Sequence, residues 1–316
     1  MNDRRTTVGL SSGVHPRPHF RRRALLITTW EGVVAGAMFA VTNNWFAPLL
    51  LKHLGGPDVL NAWLSVVPQA LGLLVLPFIG HIAPFLGGNR RVVIAASLTL
   101  TVLLLALQVP IHLGHPTDGP IAAWALASAF ALITTFSVVL TLNGPPWVAW
   151  IGGLVPRRIM GAYTTRRAQY FMLVMLATGF LYNVLAKFLP IAAGPWGLSL
   201  IFACAALSRL GSTWLLIRTP ELPHRPRASR SAVTASQGSD GFLAFVRALP
   251  RNPTGKLVLI MGWVWVGAMM CGPYFAPYAL RPLDEGGMAL APESTAYWLV
   301  MNTNIAFRVL MLPVAG

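Results

Sequence analysis

The chain alternates between long apolar runs and short polar, Gly- or Pro-rich breaks, and eight of the runs are long enough to cross a bilayer as helices. They cover roughly 24–51, 61–83, 92–112, 120–153, 168–187, 195–217, 257–280 and 295–316. Strands are excluded because barrel strands alternate apolar and polar positions over about ten residues, and these runs do not. A helix pairs its own backbone groups, which lipid cannot do for it. The pattern therefore predicts an all-α integral membrane protein.

The pattern also restarts. Trp45-Phe46-Ala47-Pro48-Leu49-Leu50-Leu51-Lys52 returns as Tyr274-Phe275-Ala276-Pro277-Tyr278-Ala279-Leu280-Arg281, and each copy soon reaches a Gly-Gly, at 55–56 and 286–287. One run later, Leu74-Val75-Leu76-Pro77-Phe78-Ile79-Gly80 returns as Leu310-Met311-Leu312-Pro313-Val314-Ala315-Gly316. Matched islands in the same order predict a duplicated unit. Six spans precede the restart, so the unit is a six-helix bundle and the last two spans open its second copy. The chain then divides into an N-terminal tail (1–23), a six-helix bundle (24–217), a linker (218–255) and a partial second bundle (256–316). Pro220, Pro223, Pro226 and the Ser-rich stretch from Ser229 to Ser239 give the linker a composition that predicts disorder in its middle. Gly316 aligns with Gly80, so the repeat predicts a truncated sequence, with roughly another 130 residues completing the second unit.

Composition agrees with membrane residence. With 55% hydrophobic and 10% charged residues and a mean hydropathy of +0.62, the chain is excluded from the water-soluble globules. A net charge of +15 raises nucleic acid as a partner, but the distribution argues against it. With the N-terminus placed inside, nineteen of the twenty-four Lys and Arg residues fall on inside segments. Such a bias is the positive-inside signature of a multi-pass protein of the cytoplasmic membrane with a cytoplasmic N-terminus. It also predicts contact with anionic lipid head groups. The run after residue 23 is too long for a signal-peptide core, so the first span is expected to be retained. Cys204 and Cys271 lie in apolar runs and read as packing residues.

Two segments carry a resemblance. Gly80-His81-Ile82-Ala83-Pro84-Phe85-Leu86-Gly87-Gly88-Asn89-Arg90-Arg91 follows the second span, and its glycines and trailing arginines resemble the Gly-x-Leu-Ala-Asp-Arg-x-Gly-Arg-Arg loop of the Major Facilitator Superfamily. Pro84 stands where that family has its Asp, which helps latch the two bundles in the outward-facing state. Pro146-Trp147-Val148-Ala149-Trp150-Ile151-Gly152-Gly153-Leu154-Val155-Pro156, followed by Gly161, Tyr163, Arg166 and Arg167, is similar to the fourth span and following loop of uncharacterised bacterial members. Gly153 stands at the position of their Asp. The resemblance implies two six-helix bundles joined by a cytoplasmic linker, and a secondary transporter that works by alternating access. It does not specify a substrate.

Ionisable groups in lipid cost several kcal/mol unless paired or hydrated, so each is a site candidate. Glu31 alone among nine carboxylates lies inside an apolar run, roughly 12 Å past Arg23 at about 1.5 Å per residue. Its expected role is proton coupling or cation recognition; the competing role is a carboxylate paired with a nearby Arg. Arg209 and Arg308 are the cations within spans, Arg209 expected to snorkel or pair structurally. Asn304 and Arg308 share a helix face and could meet an anionic or hydrogen-bonding substrate. Asn43, Asn44, Gln69 and Asn143 complete the polar set, with Trp265 and Tyr274 as stacking candidates or interface anchors. Asn143 precedes Gly144-Pro145-Pro146, where a kink or break is expected. No nucleophile–base pair, phosphate loop or metal motif appears, so the chain is read as neither an enzyme nor a cofactor protein. The expected function is secondary transport of a small molecule, with protons as a candidate coupling ion. The alternative is a non-transporting membrane protein of the same fold, such as an assembly or pigment- and lipid-handling factor.

Overall fold

The computed structural model describes residues 18–48, 54–114, 123–188, 195–219, 278–290 and 294–315, with most positions from 247 to 264. Among these residues every regular element is helical. The long helices are α1 (Pro18–Pro48), α2 (Asp58–Val75), α4 (Asn89–Ala106), α6 (Ala123–Leu154), α7 (Met160–Phe188), α8 (Pro195–Arg218) and α9 (Thr295–Ala315). Short helices extend two of them: α3 (Ile79–Phe85) follows α2 through a 3-10 turn, and α5 (Gln108–Leu113) follows α4. Four stretches are long and apolar enough to cross a membrane by length and composition: Arg22–Thr42, Asn89–Leu113, Ala123–Leu154 and Pro195–Arg218. The chain is thus all-α with membrane-spanning character.

Sequence punctuation explains the helix ends. At the end of α3 the Gly88 N–H donates to the Ala83 carbonyl (2.8 Å) and the Gly87 N–H to the Pro84 carbonyl (3.0 Å). This paired closure needs a left-handed residue, and Gly87 supplies it at φ +79°. The same device recurs at the second Gly-Gly, where Gly286 has φ +77°. There the Gly287 N–H donates to Pro282 and the Gly286 N–H to Leu283. Gly55, its counterpart in the first copy, is also left-handed at φ +55°. In the register set by Gly80 and Gly316, α2 and α9 start within one residue of each other.

Two expectations change. α6 runs unbroken through Gly144-Pro145-Pro146, so of the expected kink or break the break is absent; the helix continues without the two proline donors. The fifth span was expected from residue 168, yet α7 begins at Met160. Gly161, Tyr163, Arg166 and Arg167 are therefore helical rather than a cytoplasmic loop. The charges that seemed to end the span are accommodated because one of them, Arg167, finds a carboxylate inside the bundle.

α1 packs most extensively against α8 and α7, α4 against α6 and α8, α2 against α6, and α9 against α7. Phe180 of α7 meets Trp298 of α9 edge-on, ring centroids 5.2 Å apart. Two apolar clusters fill the interior. One joins Val93, Trp150, Ile151, Leu154, Val155 and Leu216 with Leu25 and Tyr163 packed on it. The other, larger cluster includes Met38, Val41, Leu100, Leu104, Phe136, Tyr182, Ala205 and Phe202. The linker predicted at 218–255 lies mostly outside the described residues.

Candidate functional site

Between the two apolar clusters lies a charged layer, in the same order along every contributing helix. On α1, Thr28 and Glu31 fall between Leu25 and Met38; on α4, Ser97 falls between Val93 and Leu100. On α8, Arg209, Ser212 and Thr213 fall between Phe202 and Leu216, and on α7 Arg167 falls between Tyr163 and Tyr182. Thr28, Glu31, Ser97, Arg209, Ser212 and Thr213 are all buried.

The hub is Glu31, 3% exposed. One carboxylate oxygen accepts from Arg167 Nη2 at 2.7 Å and the other from the Ser212 hydroxyl at 2.9 Å. Arg167 also donates from Nε to the Thr28 carbonyl (3.1 Å), and its guanidinium lies 4.3 Å from the Trp147 ring centroid. One arginine thus clasps both the carboxylate and the backbone of α1 while resting on an aromatic face of α6, an arrangement suited to a planar cation. Gly32 makes room: a Cβ there would stand 2.9 Å from Arg167 Nη2. One turn earlier on α7, the Tyr163 hydroxyl meets the Thr28 hydroxyl and donates to the Leu25 carbonyl (3.3 Å). The tyrosine and arginine of the Gly-x-Tyr-x-x-Arg-Arg segment therefore both dock on α1.

Arg209 is the second buried cation, 3% exposed. Its Nη2 donates to the Ser97 hydroxyl at 2.7 Å, and its Nε has no partner among the described residues. The layer holds two guanidiniums and one carboxylate, tied together through α1, α4, α7 and α8.

The remaining candidates are scattered. Asn143 is buried on α6, with Oδ1 unpartnered among the described residues. It shares a face with Trp147 and Trp150 at spacings of four and seven. Gln69 on α2 is exposed. Asn43 and Asn44 lie in the last turns of α1 and Asn304 in α9, their side chains outside the described set. Arg308 is exposed rather than buried. Asn302 is buried but returns its amide to the Trp298 carbonyl (2.9 Å), a bond within its own helix. Trp265 and Tyr274 lie outside the described residues. Of the loop residues, Arg90 donates to the Ile217 carbonyl at the end of α8 (2.7 Å), Arg91 folds over Gly87, and Arg166 is exposed. Gly80 meets nothing within 4 Å where a Cβ would stand, and neither does Gly161.

Sequence reading missed Ser97, Ser212, Thr28 and Trp147 as members of the layer. A signal existed: Thr28 and Glu31, and Arg209 and Ser212, are each three apart and share helix faces. Which helices would meet could not be read from spacing.

Substituting Arg209 should be milder than breaking the Glu31 pair. Arg209→Met removes a buried cation whose described hydrogen-bond partner is a neutral hydroxyl, so its loss strands no ion that Arg209 alone had paired, and stranded charge is what makes breaking a buried pair costly. Thermal unfolding of the variant should stay near that of the parent; a loss as large as that of Glu31→Ala would make Arg209 a principal partner of Glu31.

Compared with known proteins, the sequence matches no family model, no curated protein and no solved structure.

Proposed function

We propose that the protein is a secondary transporter of the Major Facilitator type, moving a small molecule across the cytoplasmic membrane by rocking two related bundles about a midplane site. The observation that carries this reading is the duplication. Two Trp/Tyr-Phe-Ala-Pro islands are each followed by a left-handed glycine, at Gly55 and Gly286, and then by an apolar helix. Internal repeats of this kind are the usual construction of transporter folds. In this reading the Arg-rich ends of α1, α4, α7 and α8 face the cytoplasm. Glu31, held by Arg167 at 2.7 Å, is the coupling candidate.

The test is flux in proteoliposomes holding the full-length protein, offered a panel of labelled amino acids, sugars and organic acids with and without an imposed pH gradient. At least one compound should accumulate when the gradient is applied. Glu31→Gln should lose gradient-driven accumulation and keep exchange of the same compound across the membrane; loss of neither would remove Glu31 from coupling. Absence of flux for every compound, in both conditions, would favour the non-transporting alternative. Pro84 in place of the family's latch Asp is the feature that keeps that alternative in view.

A further inference from the structure

Pro145 and Pro146 leave a gap in the hydrogen bonding of α6 that the helix cannot fill. The N–H of residue i+4 serves the carbonyl of residue i, or that of i+3 where the turn tightens. For Leu142 those positions are Pro146 and Pro145, and neither has an N–H. Thr141 also loses its donor four ahead, at Pro145, but Gly144 keeps an N–H three ahead. The two carbonyls differ in direction as well. Each points along the axis toward residue i+4, Leu142 toward buried Pro146 and Thr141 toward exposed Pro145. Leu142 therefore turns an oxygen with no donor at either position toward the interior.

The next residue adds a second oxygen. Asn143 is 8% exposed, and its Oδ1 has no partner among the described residues. An acceptor buried without a donor is costly and points to a ligand that satisfies it. Helix α2 comes close at this turn, where a Cβ on Gly72 would stand 3.0 Å from the Thr141 side chain. The nearby charges do not forbid a cation. Arg167, on the Trp147 ring one turn further along, is matched by Glu31 at 2.7 Å, and Arg209 is on α8, bonded to Ser97 of α4. A bound water would also have to accept a hydrogen bond. The orphaned donor on this face, Trp150 Nε1, lies seven residues on, roughly 10 Å along the helix. A hard cation needs oxygen ligands alone, and carbonyls freed in interrupted transporter helices coordinate sodium.

We infer that α6 carries a sodium site at its proline turn, with the Leu142 carbonyl and Asn143 Oδ1 as ligands and water completing the shell. Sodium then joins Glu31 as a coupling candidate, a role that rests on the transport reading. The binding itself does not.

Thermal unfolding of the full-length protein in detergent tests it, with sodium, potassium or choline chloride at equal concentration. Sodium should raise the unfolding temperature saturably, as a ligand of the folded state does; choline should not, and potassium should do so less. Asn143→Leu should abolish the shift yet unfold near the parent in choline chloride, since it removes an orphaned acceptor. Pro146→Ala should abolish it too, because the new N–H closes on the Leu142 carbonyl. Pro145→Ala supplies a donor to Thr141 instead and should keep the shift; its loss there would overturn the carbonyl as ligand. No sodium shift in the parent would leave water as the occupant and overturn the site. So would an equal shift with all three salts, or a shift retained in Asn143→Leu or Pro146→Ala. A sodium shift without flux of any compound would keep the site and remove the transporter. Flux driven by a pH gradient, with no sodium shift, would do the reverse.

Discussion

Glu31→Ala should destabilise the bundle by ~3–5 kcal/mol, the usual consequence of removing one partner from a buried ion pair. The substitution deletes the acceptor for Arg167 at 2.7 Å and for Ser212 at 2.9 Å, and leaves a guanidinium only 17% exposed without its counter-charge. Hydrogen bonds between membrane helices average only ~0.6 kcal/mol when the released groups find new partners. A large loss is therefore diagnostic of stranded charge. Removing both partners, as Glu31→Ala with Arg167→Met, should recover part of the loss, because no unpaired ion then remains. Thermal or denaturant unfolding of the four proteins of this cycle measures the coupling. If the single and double substitutions are equally harmful, Arg167 is not stranded, and the Thr28 carbonyl and Trp147 face suffice to hold it.

Gly36→Val is expected to force α1 away from α7. A Cβ at this glycine would lie 2.9 Å from the Phe171 carbonyl oxygen and 3.5 Å from the Val174 Cβ. Backbone cannot swing aside as the tip of a side chain can, so the helices must part or shift. Overfilling a tight contact costs about 1–3 kcal/mol, and small residues at helix crossings are how membrane bundles bring backbones together. Separation would also loosen the Glu31–Arg167 pair, which spans the same two helices, and the edge-on contact of Phe39 with Phe171 at 5.2 Å. Gly153→Ala is the control: nothing lies within 4 Å of a Cβ there, and alanine improves helix propensity by up to ~1 kcal/mol. Unfolding experiments should separate the two variants clearly. Equal tolerance of both would mean that α1 and α7 are not in close contact at Gly36.

The two expectations rest on the same contact, α1 against α7, yet they were unequally legible beforehand. Glu31 stood out because one carboxylate in an apolar run is conspicuous in any order of helices. Its partner did not. Arg167 lies 136 positions away, in a stretch whose four arginines resembled a loop that ends a span. The carboxylate converts that stretch into helix by neutralising the one arginine that turns inward, while Arg166 beside it stays exposed. Gly36 gave no warning at all, since nothing in the string distinguishes a glycine pressed on a neighbouring carbonyl from one facing open space. Arg308 shows the opposite error. Its place in an apolar run implied burial, and the orientation of α9 on α7 leaves it exposed.

Hydropathy alone determined that the chain is helical and apolar enough for a bilayer, because the bilayer imposes one backbone solution on every long apolar run. Repetition within the string marked the two matching Gly-Gly positions, since a left-handed backbone, as at Gly55 and Gly286, is a local demand that glycine meets best. Only the tertiary structure decided that Glu31, Arg167, Ser212, Ser97 and Arg209 form one layer between two apolar clusters. That choice depends on which faces of α1, α4, α7 and α8 pack together, and the energy of pairing buried charges appears only when those faces meet.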